Sequence, residues 1–295
     1  MKTYLDCIPC FFKQVLESTR NAGASEQVQR EALLKLAKLL PDIPMHSTPP
    51  ESGKLVHGII RRITGNNDPY LEIKDKSNRL ALDVYDDLKK KLSNSEDRLS
   101  AAVELAITGN IIDFGVKNTL DVDAEISRIV AEKGSIITSG DRSIFDIEKF
   151  IDALSSAETV LFLADNAGEV VFDKILIEEI NSLYPKAKII YAVKDKPIIN
   201  DALIEDAFYC GIDKVADVIS SGSDAPGTVL YLCSEEFMKI YSEADVIISK
   251  GQGNYEALSD EDRPIYFLLM AKCPVIADDI GCKVGDRILI KKSDN

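Results

Sequence analysis

The chain reads as an α/β protein, a mainly parallel sheet with covered faces behind a helical N-terminal region. Three observations predict this. Residues 1–108 carry apolar stripes at helical spacing almost throughout. Beyond them, five short apolar runs (159–164, 187–193, 214–220, 244–249 and 274–277) alternate with helical stretches (145–154, 170–183, 200–209, 234–241 and 264–270). Polar side chains and glycines collect just after those runs, where an open parallel sheet binds its ligands. The expected division is a helical region over 1–108 and an α/β core over 109–295.

Composition bounds the function. A chain of 295 residues with 45% apolar content and a mean hydropathy of -0.03 has the profile of a soluble globular protein. A formal charge of -14 argues against nonspecific binding to nucleic acid or to an anionic membrane. No apolar run approaches the roughly 18 residues of a spanning helix. The start of the chain lacks a signal-peptide core, so the expected compartment is the cytoplasm. Six cysteines do not make a disulfide scaffold in a chain of this size. Cys7-Ile8-Pro9-Cys10 is the only CxxC. With no second CxxC and no histidine pair at finger spacing, packed thiols are favoured over a zinc or redox site.

Taken in order, 9–19 predicts a helix with Phe11, Phe12, Val15 and Leu16 on one stripe. Ser25 caps a second helix bearing Val28, Leu33, Leu36, Leu39 and Leu40. Four prolines make 41–50 a loop. Helices follow over 51–63, closed by Gly65, over 72–92 as one long charged element, and over 98–108. Gly109-Asn110-Ile111-Ile112-Asp113-Phe114-Gly115 interrupts this pattern, either as a helix stop capped by Asp113 or as a site segment. A short helix over 126–130 and an edge strand over 134–138 complete the reading, and 291–295 is a polar, frayed tail.

The organising stretch is Val160 to Glu169. A buried strand ends in Asp165-Asn166, a small-residue turn follows, and a helix begins. A carboxylate and an amide oxygen are hard ligands for Mg²⁺, Mn²⁺ or a similar cation. The turn glycine, Gly168, lets a ligand approach, and the helix N-terminus favours an anion. The competing reading is a helix cap. After the second run comes Asn200-Asp201, where either residue also serves as an N-cap. After the third, 220–228 is a small-residue loop suited to an anion. After the fourth, Lys250-Gly251-Gln252-Gly253-Asn254-Tyr255-Glu256 offers a cation and backbone amides for phosphate oxygens, without a Walker or dinucleotide fingerprint. Acid, amide, lysine and glycine recur at successive loops, which independent caps do not require.

These residues resemble a family: the metal-dependent damage-control phosphatases, formerly a domain of unknown function and also labelled acidic-residue-methyltransferase-like. The likeness is to the archaeal and bacterial branch with an N-terminal CxxC. It is carried by Cys7-Ile8-Pro9-Cys10, Asp68-Pro69-Tyr70 with Lys74 and Asn78, 109–115, Asp165-Asn166-Ala167-Gly168-Glu169, Asn200-Asp201-Ala202, Pro226-Gly227-Thr228 and 250–256. The resemblance implies a Rossmann-like core and one divalent cation (Mg²⁺, Mn²⁺, Co²⁺ or Ni²⁺) on Asp165, Asn166 and Asp201. It implies hydrolysis of phosphate esters of small metabolites, with Asp165, Asp201 and Lys250 as the catalytic set. Asn110, Asp113, Gly168, Glu169, Lys250, Gly251, Gly253 and Asn254 are the expected substrate contacts. The expected partner is a small phosphorylated metabolite, with no nucleic acid and no membrane, and a homo-oligomer is left open. Asp165 or Asp201 could be a nucleophile, a base or a ligand only. Two rivals stand: a non-catalytic nucleotide- or sugar-phosphate-binding protein, and a carboxyl methyltransferase. The latter is disfavoured because Asp165-Asn166 stands where its first glycine-rich loop belongs.

Overall fold

The computed structural model describes residues 1–109 and 144–292. Asn110, Asp113 and the elements expected over 126–130 and 134–138 lie outside the described residues.

Helices α1 (Cys7–Asn21), α2 (Glu26–Leu39) and α3 (Pro49–Thr64) share an apolar cluster of their own, centred on Phe11, Val15, Leu36, Val56 and Ile60. The α3 start is chemically explicit. Thr48 Oγ1 accepts the Glu51 N–H at 3.4 Å, the Glu51 carboxylate accepts the Thr48 N–H, and Pro49 and Pro50 fill the first turn. The stretch expected as one helix is two, α4 (Leu71–Asp83) and α5 (Tyr85–Ser93), broken at Val84. Helix α6 (Arg98–Thr108) is buried at every position from Leu99 to Thr108.

Seven strands follow: β1 (Ile144–Phe145), β2 (Thr159–Leu163), β3 (Lys188–Val193), β4 (Asp217–Ser220), β5 (Val246–Lys250), β6 (Ile265–Met270) and β7 (Arg287–Lys292). Between them lie α7 (Ile147–Ser156), α8 (Glu169–Leu183), α9 (Ile204–Tyr209), α10 (Glu235–Glu243), α11 (Gly251–Leu258) and α12 (Pro274–Ile280). The sheet order is β1-β7-β6-β5-β2-β3-β4, parallel except where β6 meets β7. Alternate residues of each central strand enter opposite layers. Val160 and Phe162 of β2 face α4–α8, and Leu161 and Leu163 face α10–α12. No described helix is long and apolar enough to cross a membrane.

Several elements differ from their sequence reading. The run 264–270, expected as helix, contains strand β6, and 274–277, expected as strand, opens helix α12. Ile265 to Met270 is six apolar residues in a row, which suits a strand covered on both faces and carries no diagnostic period. Pro274 sits at the first helical turn, and Gly281 closes α12 with φ 83°. The helix expected over 200–209 starts only at Ile204, because 200–201 is drawn into a bridge with Asn166. The run 214–220 is strand only from Asp217, and Lys291 and Lys292 of the expected tail pair with β6.

Candidate active site

From β2 the chain moves outward through β3 to β4, then crosses to β5 on the other side of β2 and continues to β6. The connection therefore reverses direction between β2 and β5. Loops after neighbouring parallel strands diverge at such a point and leave a crevice. A cavity of about 470 Å³ opens there. Its floor is Asp165, Asn166, Ile199, Asn200 and Asp201. Gly227, Gln252, Gly253, Glu256 and Lys272 also line it, and α1 and α3 contribute Cys7, Cys10, Gln14, Pro50 and Gly53.

Asp165, Asn166 and Asp201 are brought together by backbone bonds between the loops after β2 and β3. The Ala202 N–H donates to the Asp165 carbonyl at 2.8 Å, and the Ala167 N–H donates to the Asn200 carbonyl at 2.9 Å. Asn166 and Asp201 form an isolated antiparallel bridge. To make this turn, Ile199 adopts φ 47°, the one positive φ at a non-glycine among the described residues. A β-branched residue there costs on the order of 1–3 kcal/mol, a strain that clusters at functional sites. Asn166 Nδ2 donates to Asp165 Oδ2 and to Glu169 Oε1, both at 2.9 Å, so its amide oxygen is the atom that could ligate a cation.

The charge balance is uneven. Asp165, Glu169, Asp173 and Asp201 are all buried, against the buried lysines Lys194 and Lys250. Burial, then repulsion from Glu169 and Asp201, pushes the Asp165 carboxyl well above the ordinary carboxylate range, with Lys272 and Lys250 acting the other way. Lys194 Nζ lies 3.8 Å from Asp201 Oδ2. Among the described residues no three carboxylates, thiols or imidazoles converge as a ready-made cage. The donor set is two carboxylates and one amide, all oxygen, with a surplus of buried negative charge. That set suits a hard divalent cation completing its shell with water or phosphate oxygens.

The other expected contacts sort by where they face. Gly253 is on the cavity wall. Lys250 is behind it: only 1% exposed, its ammonium lies 2.5 Å from Asp173 Oδ1 and 3.2 Å from Glu169 Oε2. Burial alone would discharge it, but the two carboxylates outweigh burial and raise its pKa. Lys250 thus ties α8 to the end of β5 and neutralises the acids beneath the site. The expected anion site at the start of α8 is also taken, because the Gly168 N–H donates to Asn78 Oδ1 at 2.7 Å. Asn254 is spent on the Ala164 and Lys250 carbonyls and on the Thr228 hydroxyl. Gly251, with φ 79°, lies so close to Asp165 that a Cβ would overlap its carboxylate.

Lys272, which the sequence reading passed over, and Gln252, whose side chain it gave no role, line the cavity. Lys272, in the turn after β6, is the lysine that lines the cavity, and its charge reaches Asp165. Gln252 fixes that turn: its Oε1 accepts the Lys272 N–H at 3.0 Å. The misread β6 concealed Lys272, since a lysine after a helix is not expected at a sheet crevice.

Comparison with known proteins accords with this geometry. The profile described as the damage-control phosphatase ARMT1-like domain matches residues 3–288. A damage-control phosphatase of Pyrococcus horikoshii is 36% identical over 294 residues, covering 99% of this chain and 98% of that one. A damage-control phosphatase of Archaeoglobus fulgidus is 36% identical, covering 96% of each chain. The crystal structure of a DUF89 family protein from Pyrococcus horikoshii superposes with a TM-score of 0.87, at 35% identity and 99% coverage of both chains. With the fold and sequence matched across nearly its whole length, this chain belongs to the ARMT1-like damage-control phosphatase family.

Proposed function

We propose that the protein is a divalent-metal-dependent phosphatase acting on phosphate esters of small metabolites. Asp165, Asn166 and Asp201 are the residues that would hold the cation, whether Mg²⁺, Mn²⁺, Co²⁺ or Ni²⁺. When bound, such an ion polarises a phosphoryl oxygen and makes a bound water more acidic. The observation that carries this reading is the convergence of these three oxygen donors, with their buried surplus of negative charge, on a cavity that also holds Lys272.

In this reading Lys272 and the backbone at Gly227 and Gly253 face the phosphoryl group and offset the charge it develops. Lys250 keeps Glu169 and Asp173 neutralised, so Asn166 and Asp165 hold their orientation. The helices α1 and α3 exclude water from the bound ester, and a 470 Å³ cavity has room for a small metabolite. A carboxylate nucleophile would be revealed by a trappable phosphoaspartyl group.

The test is phosphate release by metal-stripped protein to which each cation is returned, with Asp165→Ala and Asp201→Ala alongside. We expect release only with added cation, and a loss of about 10²–10³-fold or more in each variant. Unaltered turnover in either variant overturns the site. Ester binding without release by any cation-loaded form favours the binding-protein rival.

A further inference from the structure

We propose that Glu256, on the wall of the cavity that the two aspartates also line, is the catalytic acid that donates a proton to the leaving-group oxygen. The inference rests on the phosphatase reading above. It begins from a chemical need. Esters of small alcohols leave as strongly basic alkoxides, and a positioned acid accelerates such a departure by about 10²–10⁴-fold.

The groups already assigned cannot supply that proton. Asp165 and Asp201 are the cation ligands of the reading above, and Lys250 is locked between Glu169 and Asp173. Of the remaining acids on the wall, Asp6 is exposed to solvent. Glu256 is half-buried on α11, and its position is held: Gln252 Nε2 donates to Glu256 Oε1 at 2.8 Å. The same Gln252 fixes the Lys272 turn. Lys272 lines the same cavity as Asp165 and Glu256, and its charge acts on both. A phosphoryl group resting on Lys272 and the aspartates would then share the cavity with the Glu256 carboxyl, which is held in place on its wall.

The surroundings of Glu256 support the role. The charged and titratable groups that act on it are the Met1 ammonium, Lys272 and the thiols of Cys7 and Cys10. Burial raises its carboxyl to about 7, against the pull of Gln252, the ammonium and Lys272. The Cys7 and Cys10 thiols, raised above 9.0 chiefly by burial, are far weaker acids.

The step balances. The water oxygen bonds to phosphorus as the P–O bond to the alcohol breaks, and that bond's electron pair stays on the leaving oxygen. Glu256 gives its proton to this oxygen, so the alcohol departs neutral. One proton of the attacking water stays on the phosphate; the other passes to solvent, from which Glu256 is reprotonated.

The test uses the full-length, cation-loaded protein and its Glu256→Gln variant on a series of substituted phenyl phosphates, from 4-nitrophenyl to 4-methylphenyl. These differ in leaving-group basicity far more than in shape. We expect the variant to stay within about threefold of wild type on 4-nitrophenyl phosphate, whose phenolate needs no proton. It should lose about 10²-fold on 4-methylphenyl phosphate, steepening the dependence on leaving-group pKa. On the latter, the wild-type rate should fall as pH rises through about 7, and this limb should vanish in the variant. An equal loss across the series, or none, overturns the proposal while leaving the phosphatase reading intact. A wild type that releases no phosphate from any member with any of the four cations overturns both.

Discussion

Gly251 illustrates how one atom decides the site. Its φ of 79° and its contact with the Asp165 carboxylate leave no room for a side chain. Gly251→Ala should displace that carboxylate and strain the turn, at a cost of about 1–3 kcal/mol. A drop in divalent-cation affinity by calorimetry, larger than the drop in stability alone predicts, is the expected result; unchanged affinity would mean that Asp165 does not ligate. At this scale the position of Asp165 and Asn166 at a strand end was legible from residue type and loop position, and Asp201 was singled out as a partner by the family resemblance; the structure brings all three to one cavity. The orientations of Lys250 and Asn254 were not legible, since a sequence does not say which neighbours claim a polar side chain. Both are consumed by partners from distant elements: Glu169 and Asp173 for the lysine, Ala164 and Thr228 for the amide.

Elements set these residues against one another. Helix α4 reaches the site through Asn78, which accepts from the Gly168 N–H at 2.7 Å and donates to Asp206 Oδ1 at 2.7 Å. Asp206 in turn accepts the Leu203 N–H at 2.9 Å, and Lys74 lies 2.8 Å from Asp68 Oδ2. One amide thus clamps the turns after β2 and β3 to a helix from the N-terminal region. Asn78→Ala strands a buried N–H and a buried carboxylate oxygen, so it should cost about 2–4 kcal/mol by denaturant unfolding. Phosphate release should fall as well, because the Asp165–Asn166 turn loses its support. Full turnover in a destabilised variant would confine Asn78 to a structural role. At the scale of elements, length and flanking signals made α6 and α8 readable nearly to the residue: each is longer than an ordinary strand, α6 runs from its Asp97 cap to Gly109, and α8 follows the turn glycine Gly168. In a short, continuously apolar run such as β6, helix and strand look alike, and the pairing of β6 between β5 and β7 settles the matter.

For the whole molecule, the balance of buried charge governs the response to pH and metal. Asp173 is raised to about 6, mainly by burial, and Glu256 to about 7, also mainly by burial; Asp165 is raised by burial and its acidic neighbours. For an acid raised on folding, the folded state binds more protons than the unfolded one, so stability falls as pH climbs from the ordinary value to the folded value. The cation-free protein should therefore lose thermal stability between about pH 4 and 7. Glu51, Asp146 and Asp224 are lowered by hydrogen bonds or ion pairs, and their contribution is lost only below about pH 4. Excess divalent cation should flatten or reverse the decline, because binding requires ionised Asp165 and Asp201 and so strengthens with pH. Melting curves in chelator and in added Mn²⁺ over pH 4.5–8 would show it; a midpoint rising with pH in chelator would contradict the balance described.

By itself the sequence determined the α/β class, the helical N-terminal region and the loops that carry Asp165, Asn166 and Asp201. Periodicity, caps and strand-end chemistry are local properties, written within a few residues of where they act. Only the tertiary structure decided that Lys272 lines the cavity while Lys250 is held behind it. It alone placed α1 and α3 over the cavity and Glu256 on a wall of the cavity that the aspartates also line. Those outcomes depend on strand order and on which side chains meet across the crevice, and such contacts join residues far apart in the chain.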